Sequence, residues 1–118
     1  MFMVRFVILA HDFPQPHWDL FWEEGSELRA WRLFGSLAEG AEIVAEPAPN
    51  HRLFYLDYEG PVSGNRGTVW RVEAGALVVE VDTAELVRCR ICGERWQGTL
   101  SFSRTPEGWR CRSGRTSC

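Results

Sequence analysis

The sequence contains no lysine, and all 13 of its basic residues are arginine. Its 16 acidic residues outnumber them, so the formal net charge at pH 7 is −3. A chain with this charge lacks the overall positive potential of a protein that binds along a nucleic-acid duplex. Any contact with nucleic acid is therefore expected to be local, at an end or a short overhang.

Long apolar runs are also missing. No stretch approaches the roughly 20 apolar residues that a transmembrane helix needs. The opening residues 1–10 are apolar, but Arg5 interrupts them and no small-residue cleavage site follows before His11. This pattern favours a first β-strand over a signal peptide. We therefore expect a cytoplasmic protein that has no membrane partner.

Histidine is scarce, with only His11, His17 and His51 in the chain. His17 and Asp19 are two residues apart, so on a strand they share one face at a backbone separation of about 7 Å. Residues 12–16 contain two prolines, which favour a bent connection that brings His11 back toward them. Two imidazoles and a carboxylate with open positions are typical of a catalytic metal site. The alternative is that His17 and Asp19 only hydrogen-bond on a strand surface while His11 caps a turn.

Short segments rich in β-branched and aromatic residues alternate with turn residues along the chain. They predict nine strands, at residues 4–10, 17–23, 28–34, 51–58, 67–73, 76–81, 86–92, 96–103 and 108–112. Residues 35–45 are the only plausible helical turn, and residues 47–50 and 74–75 are among the predicted turns. The sequence therefore predicts a mainly β domain over residues 1–118: a small closed or nearly closed antiparallel barrel with at most one short helix. Residues from about 105 to 118 are expected to form a less ordered tail.

Alternation along the second predicted strand assigns its two faces. Trp18, Leu20 and Trp22 are expected to face the core. His17, Asp19 and Phe21 then share the opposite face, which places Phe21 beside the predicted metal site.

The four cysteines allow two interpretations. Cys89 and Cys92 have the spacing of a zinc knuckle, but residues three apart on a strand point to opposite faces. Six residues separate Cys111 from Cys118, and this spacing does not complete a usual zinc motif. We therefore expect buried or unreactive thiols without disulfides, as is usual in the cytoplasm, and a zinc site is the alternative.

Four strings of residues resemble one known family when they are taken together. They are RFVILAHD at 5–12, HWDL at 17–20, LRAW at 28–31 and HRLFYLDYEG at 51–60. In order and spacing they resemble the 3′-phosphoesterase domain of bacterial DNA ligase D, the ligase of non-homologous end joining. The match runs from residue 5 to about residue 104, and the chain looks like a free-standing, divergent member of this family.

The resemblance implies a function and a set of site residues. In the family, the residues that match His11, His17 and Asp19 bind manganese, and those that match His51 and Tyr55 contact the scissile phosphate. The family domain removes a 3′ ribonucleoside and then the remaining 3′ phosphate. The resemblance therefore implies Mn²⁺ as cofactor and DNA or RNA-tipped DNA 3′ ends as substrates in DNA repair. A separate ligase or polymerase of end joining is the protein partner that it implies.

The chain departs from the family pattern at three cationic positions. Phe21 replaces an arginine that helps to hold the phosphate, and Gly35 replaces a lysine. By simple counting, Ile43 replaces a second arginine. Since a charge-assisted contact to phosphate contributes roughly 1.5 to 3 kcal/mol, we expect reduced activity unless other cations compensate.

Arg32 and Arg66 are the best candidates for such compensation as phosphate-binding residues. Alternation points Arg52 away from His51 and therefore away from the site. Three functions remain open: the 3′-end phosphoesterase, a weak or inactive relative that binds metal and nucleic-acid ends or a repair partner, and a small-molecule phosphoesterase.

Overall fold

The computed structural model describes residues 2–37 and 41–116. Within them it contains nine strands and one 3₁₀ turn. These elements are β1 (Met3–His11), β2 (His17–Glu24), β3 (Glu27–Leu33), β4 (Glu42–Arg52), the 3₁₀ turn (Leu53–Leu56), β5 (Gly60–Pro61), β6 (Thr68–Asp82), β7 (Leu86–Gly93), β8 (Gln97–Thr105) and β9 (Gly108–Arg115).

Eight of the strands close into an antiparallel barrel. Their order around the sheet is β1-β2-β3-β4-β9-β8-β7-β6, and β6 pairs back onto β1. The short strand β5 adds to β6 outside this circuit. The closed antiparallel barrel predicted from the sequence is therefore confirmed. Within residues 2–37 and 41–116, no helix has the length and apolar character needed to cross a bilayer.

The barrel interior is filled by large side chains that alternate along the strands. Leu20 and Trp22 of β2 are fully buried there, as alternation predicts, and Trp18 packs against the same core at partial exposure. Trp31 of β3 stacks on Phe102 of β8 with ring centroids 4.3 Å apart. Such aromatic pairs add about 0.5–1.5 kcal/mol to the stabilisation from buried area.

A second apolar layer covers the outer face of β1, β2 and β3. Leu9, Phe21 and Ala30 of these strands are buried against Leu56 of the 3₁₀ turn and Val69 of β6. The same face carries His11, His17 and Asp19, because they alternate in phase with Leu9 and Phe21. The candidate site therefore lies outside the barrel wall and beneath the segment that follows β4.

Strand β4 differs from the sequence prediction. It continues through Pro47 and Pro49, where a turn is predicted at residues 47–50. Beyond residue 45, β4 pairs with β3 alone, because β9 partners only residues 42–45. Such a one-sided strand tolerates proline, since one of its edges needs no N–H donors.

Three further sequence predictions need correction. The helical turn predicted at residues 35–45 is wrong for two of its parts. Residues 42–45 belong to β4, and residues 35–37 are not helical. Residues 38–40 lie outside the described residues. The strand predicted at 51–58 is largely the 3₁₀ turn. Residues 108–115, assigned to a less ordered tail, form β9 between β8 and β4.

Strand β6 runs without a break through Gly75, although a turn is predicted at 74–75. Gly75 has φ +155°, and a Cβ atom there would lie 2.3 Å from the Cys92 carbonyl oxygen of β7. The glycine therefore allows β7 to approach β6 closely, and the chain does not turn at this position.

The cysteines follow the strand alternation, but the prediction that all four are thiols without disulfides is not met. Cys89 and Cys111 are free and fully buried in the barrel core. Cys92 is disulfide-bonded, so that expectation is wrong for this residue. Because a disulfide sulfur offers no thiolate, the zinc-knuckle alternative loses one of its ligands. Cys118 lies outside the described residues.

The buried thiols should be unreactive in the folded protein. Burial raises the pKa of Cys89 and of Cys111 to about 12. At pH 8 the thiolate fraction is then about 1,000-fold lower than that of an ordinary cysteine. We expect alkylation by iodoacetamide, mapped by peptide mass spectrometry, to reach both residues only after unfolding. Labelling of either thiol in native protein at the rate of the unfolded chain would contradict this assignment.

Candidate metal centre

The hairpin of β1 and β2 brings the three predicted metal ligands together. His11, the last residue of β1, pairs directly with His17, the first residue of β2. Asp19 follows two residues later on the same face. One ligand atom from each of the three residues lies within 4.8 Å of the other two. This group could hold a metal ion.

The imidazole of His17 is oriented as a ligand. The side chain is buried, and its Nδ1 lies 2.8 Å from the Gln15 carbonyl oxygen, to which Nδ1–H donates. Its Nε2 is buried without a hydrogen-bond partner and lies 3.3 Å from Asp19 Oδ1. A buried basic nitrogen without a partner is costly, and a coordinated cation would remove that cost. The unpartnered Nε2 atom of His17 therefore fits a metal ion at this position.

His11 presents its other ring nitrogen to the same point. Its Nε2 lies 2.9 Å from the Arg66 carbonyl oxygen, so Nε2–H donates to that carbonyl. Its Nδ1 forms a hydrogen bond of 3.3 Å with Asp19 Oδ2 and is the ring nitrogen that faces the His17 and Asp19 side chains. In each histidine a backbone carbonyl fixes the tautomer, as is usual for metal-binding imidazoles.

The loop that holds His11 in place depends on a glycine. Asp12 Oδ1 accepts a hydrogen bond from the Thr68 backbone N–H at 2.7 Å. Gly67 has φ +78°, and a Cβ atom there would lie 2.2 Å from Asp12 Oδ1. Only glycine lets the turn at residues 63–67 lie this close to the end of β1. This contact sets the position of the Arg66 carbonyl against His11.

The second histidine segment opens onto the same pocket. A cavity of about 250 Å³ adjoins the three-residue group, and its polar wall consists of His11, Asp19, Arg32, His51, Tyr55 and Arg66. His51 pairs with Leu28 of β3 near the end of β4. Its Nδ1 donates to the Pro49 carbonyl oxygen at 2.8 Å, which leaves Nε2 as the nitrogen that can serve a substrate.

The floor of the pocket carries no charge at position 21. Phe21 is buried there, with its ring centroid 4.7 Å from that of His51 and 6.2 Å from that of Tyr55. Gly35 is packed against Ile43, since a Cβ atom at Gly35 would lie 2.6 Å from Ile43 Cγ2. Neither Gly35 nor Ile43 lines this pocket.

Arg32 and Arg66 both line the pocket, and their role in binding phosphate stays a prediction. Arg32 lies opposite Asp19 in the β2–β3 register, and its Nε is 3.9 Å from Asp19 Oδ1. That Nε is buried without a hydrogen-bond partner. Arg66 donates from Nε to the Ser63 carbonyl at 2.6 Å and from Nη2 to the Ser63 hydroxyl at 3.0 Å. Arg32 Nε therefore has no acceptor, whereas Arg66 Nε and Nη2 both donate to Ser63.

The apolar wall of the pocket was not anticipated. It consists of Leu9, Phe13, Pro14, Val62 and Val69 together with Phe21. Alternation with His11 could have identified Leu9, but nothing local in the sequence marks Val62 or Val69. A site with one polar and one apolar wall suits a phosphate that is attached to a flat organic group.

No protein-family model matches this chain, and a search of curated proteins finds no match.

Proposed function

We propose that this protein is a divalent-metal-dependent phosphoesterase that removes ribonucleosides and phosphates from the 3′ ends of DNA or RNA-tipped DNA. The observation that carries the proposal is one pocket lined both by His11 and Asp19 of the His–His–Asp group and by His51 and Tyr55. These two sets are more than 30 residues apart in the sequence, so the tertiary fold brings them together. The resemblance to the ligase D phosphoesterase domain supports Mn²⁺ as the ion.

The ligand set in this proposal is His11 through Nδ1, His17 through Nε2 and the Asp19 carboxylate. When bound, a divalent cation would supply charge neutralisation for the phosphoryl oxygens and a more acidic water. In both imidazoles the ring nitrogen opposite the proposed ligand atom already donates its N–H to a backbone carbonyl.

The other polar residues of the pocket would act on the substrate. His51 holds its proton on Nδ1 against Pro49, so Nε2 would accept a proton, or donate one when the ring is doubly protonated. Tyr55 would donate a neutral hydrogen bond to a phosphate oxygen. Arg32 would supply the positive charge that Phe21 does not, because its side chain lines the same pocket.

Two other functions remain as alternatives. The buried Phe21 ring in place of a phosphate-binding cation favours a relative that binds metal and nucleic-acid ends or a repair partner without turnover. The small pocket, about 250 Å³, favours a phosphoesterase for small molecules. Typical sites for drug-sized ligands measure roughly 300–1,000 Å³.

One assay separates the three functions. Purified protein is incubated with Mn²⁺ and a primer–template that ends in a ribonucleotide, in parallel with a generic aryl phosphate. The proposed function predicts a shortened primer with a 3′ hydroxyl, and no product with His17→Ala. Metal-dependent retention of DNA without product would support the binding relative. Turnover of the aryl phosphate alone would support the small-molecule enzyme.

Phe21→Arg tests whether a missing cation limits the activity. An arginine at this floor position would lie beside His51 and could donate a charge-assisted hydrogen bond to a phosphate oxygen. One such contact corresponds to about a 10- to 150-fold gain in affinity for inorganic phosphate or a 3′-phosphorylated primer. Phe21→Leu, which removes the ring without adding charge, is the matched control and should give no gain.

The same substitution should lower thermal stability without phosphate, because it replaces a packed ring by a buried unpaired charge. Added phosphate should restore part of the loss for Phe21→Arg but not for Phe21→Leu. Equal responses of the two variants to phosphate would show that position 21 does not reach the anion.

A further inference from the structure

A group of aromatic side chains extends from the pocket to the protein surface. Phe54, Tyr55 and Tyr58 are in mutual contact, with ring centroids 4.7 to 5.9 Å apart. The Arg52 guanidinium lies over the Phe54 ring at 5.5 Å and over the Tyr55 ring at 5.9 Å. We call these four side chains the aromatic shelf. Tyr55 belongs to the shelf and also lines the pocket, so the two surfaces are continuous.

The shelf is exposed because of the way the 3₁₀ turn is placed. Leu56 is the buried residue of the turn and anchors it to the outer face of the barrel. Phe54 remains 53% exposed and Leu53 40% exposed. A single exposed apolar side chain is ordinary, but a connected aromatic cluster beside a polar pocket is typical of a binding surface. The Tyr58 hydroxyl donates to the Pro61 carbonyl, which ties the shelf to β5.

The charges around the shelf favour an anionic occupant. Arg52 has no ion-pair partner within residues 2–37 and 41–116. Three neighbouring acids are engaged: Glu27, opposite Arg52 in the β3–β4 register, accepts an Asn50 side-chain N–H at 2.9 Å, Asp57 pairs with Arg5 at 2.8 Å, and Glu59 accepts the Arg71 backbone N–H at 2.7 Å. Arg52 therefore has no carboxylate partner among the described residues and lies over the exposed Phe54 ring and the partly buried Tyr55 ring.

From this arrangement we infer that the shelf binds the unpaired nucleotide next to the scissile phosphate of a single-stranded 3′ tail. The inference rests on the proposed function and specifies its substrate. A pocket of about 250 Å³ admits one terminal group, so the rest of the strand must leave across the rim. At the rim formed by Tyr55, the strand meets Phe54 for base stacking and Arg52 for a backbone phosphate. The protein therefore selects frayed or overhanging ends over blunt ones.

Binding is measured first, by fluorescence anisotropy with Mn²⁺ present. The probes are a blunt duplex and two duplexes with 3′ tails of two or four unpaired deoxynucleotides. All of them end in a 3′ hydroxyl. Stacking on one aromatic ring corresponds to about a 5- to 150-fold gain in affinity, so the tailed duplexes should bind more tightly than the blunt one by that factor. Phe54→Ala should remove the preference and Phe54→Trp should keep it. Arg52→Gln should weaken binding of all tails and lower the salt-dependence slope by about one.

A matched control lies elsewhere on the barrel. Phe2 is 88% exposed at the start of β1, so Phe2→Ala removes a solvent-facing ring without touching the pocket or the shelf. It should leave tail binding unchanged. Turnover of an aryl phosphodiester should also be the same in Phe2→Ala and in the parent protein.

The outcomes separate the inference from the proposed function. Equal affinity for blunt and tailed duplexes, or unchanged tail binding in Phe54→Ala, contradicts the inferred role of the shelf even if the phosphodiester is hydrolysed. Tail binding that depends on Phe54, without hydrolysis of any substrate, supports the shelf and contradicts the phosphoesterase. A shelf that binds peptides and no oligonucleotide would overturn the inference as well.

Discussion

His17→Ala is expected to weaken Mn²⁺ binding by more than about 100-fold and to reduce phosphoester hydrolysis to background. Loss of residues that only orient metal ligands already costs 10- to 100-fold in affinity, so loss of a ligand should cost more. The structure gives His17 the strongest case among the three ligands. Its Nε2 is buried, has no hydrogen-bond partner and faces the Asp19 carboxylate at 3.3 Å.

The measurement is the shift in melting temperature that Mn²⁺ causes. A ligand that binds only the folded state stabilises it by about 2.7 kcal/mol at 100 times its Kd. The parent protein should show this shift and His17→Ala should not. Because His17 is buried, both proteins are first compared in EDTA to establish that the variant folds, and His17→Gln provides a less disruptive second variant. A full Mn²⁺ shift in both variants would exclude His17 as a ligand.

His51→Ala is expected to lower kcat by about 100- to 10,000-fold while leaving Mn²⁺ affinity within about threefold of the parent value. Proton transfer by a positioned side chain contributes roughly that much to rate. His51 faces the pocket from β4 and does not belong to the His–His–Asp group. It should therefore act on the substrate and not on the ion.

His51→Gln divides the role of His51 further, since an amide donates a hydrogen bond but cannot transfer a proton at neutral pH. If proton transfer dominates, this variant should be as slow as His51→Ala. An unchanged kcat in His51→Ala, or a loss of Mn²⁺ binding as large as that of His17→Ala, would contradict the division of labour between the two histidines.

The grouping of the three candidate ligands could be predicted because it depends on local structure. His17 and Asp19 share a face by strand alternation, and the hairpin places His11 opposite His17. The outer position of Phe21 follows from the same alternation, and the structure buries it on the expected face.

The features that local patterns did not reveal depend on tertiary pairing. His51 reaches the pocket because β4 pairs with β3 and shifts register between Leu28 and Ala30. No local rule predicts that shift, and only the resemblance pointed to His51. Pro47 and Pro49 predict a turn, because no local sequence pattern shows that β4 has one unpaired edge beyond residue 45. Gly67 is required by Asp12, which is 55 residues earlier in the chain, so the sequence shows only a turn there.

The most direct test of the central claim is a crystal structure of the protein crystallised with Mn²⁺, with anomalous diffraction data collected at the manganese absorption edge. We expect one strong peak about 2.0–2.3 Å from His11 Nδ1, from His17 Nε2 and from a carboxylate oxygen of Asp19. A peak that misses any of these three side chains, or no peak at saturating Mn²⁺, would contradict the metal centre and the hydrolase built on it.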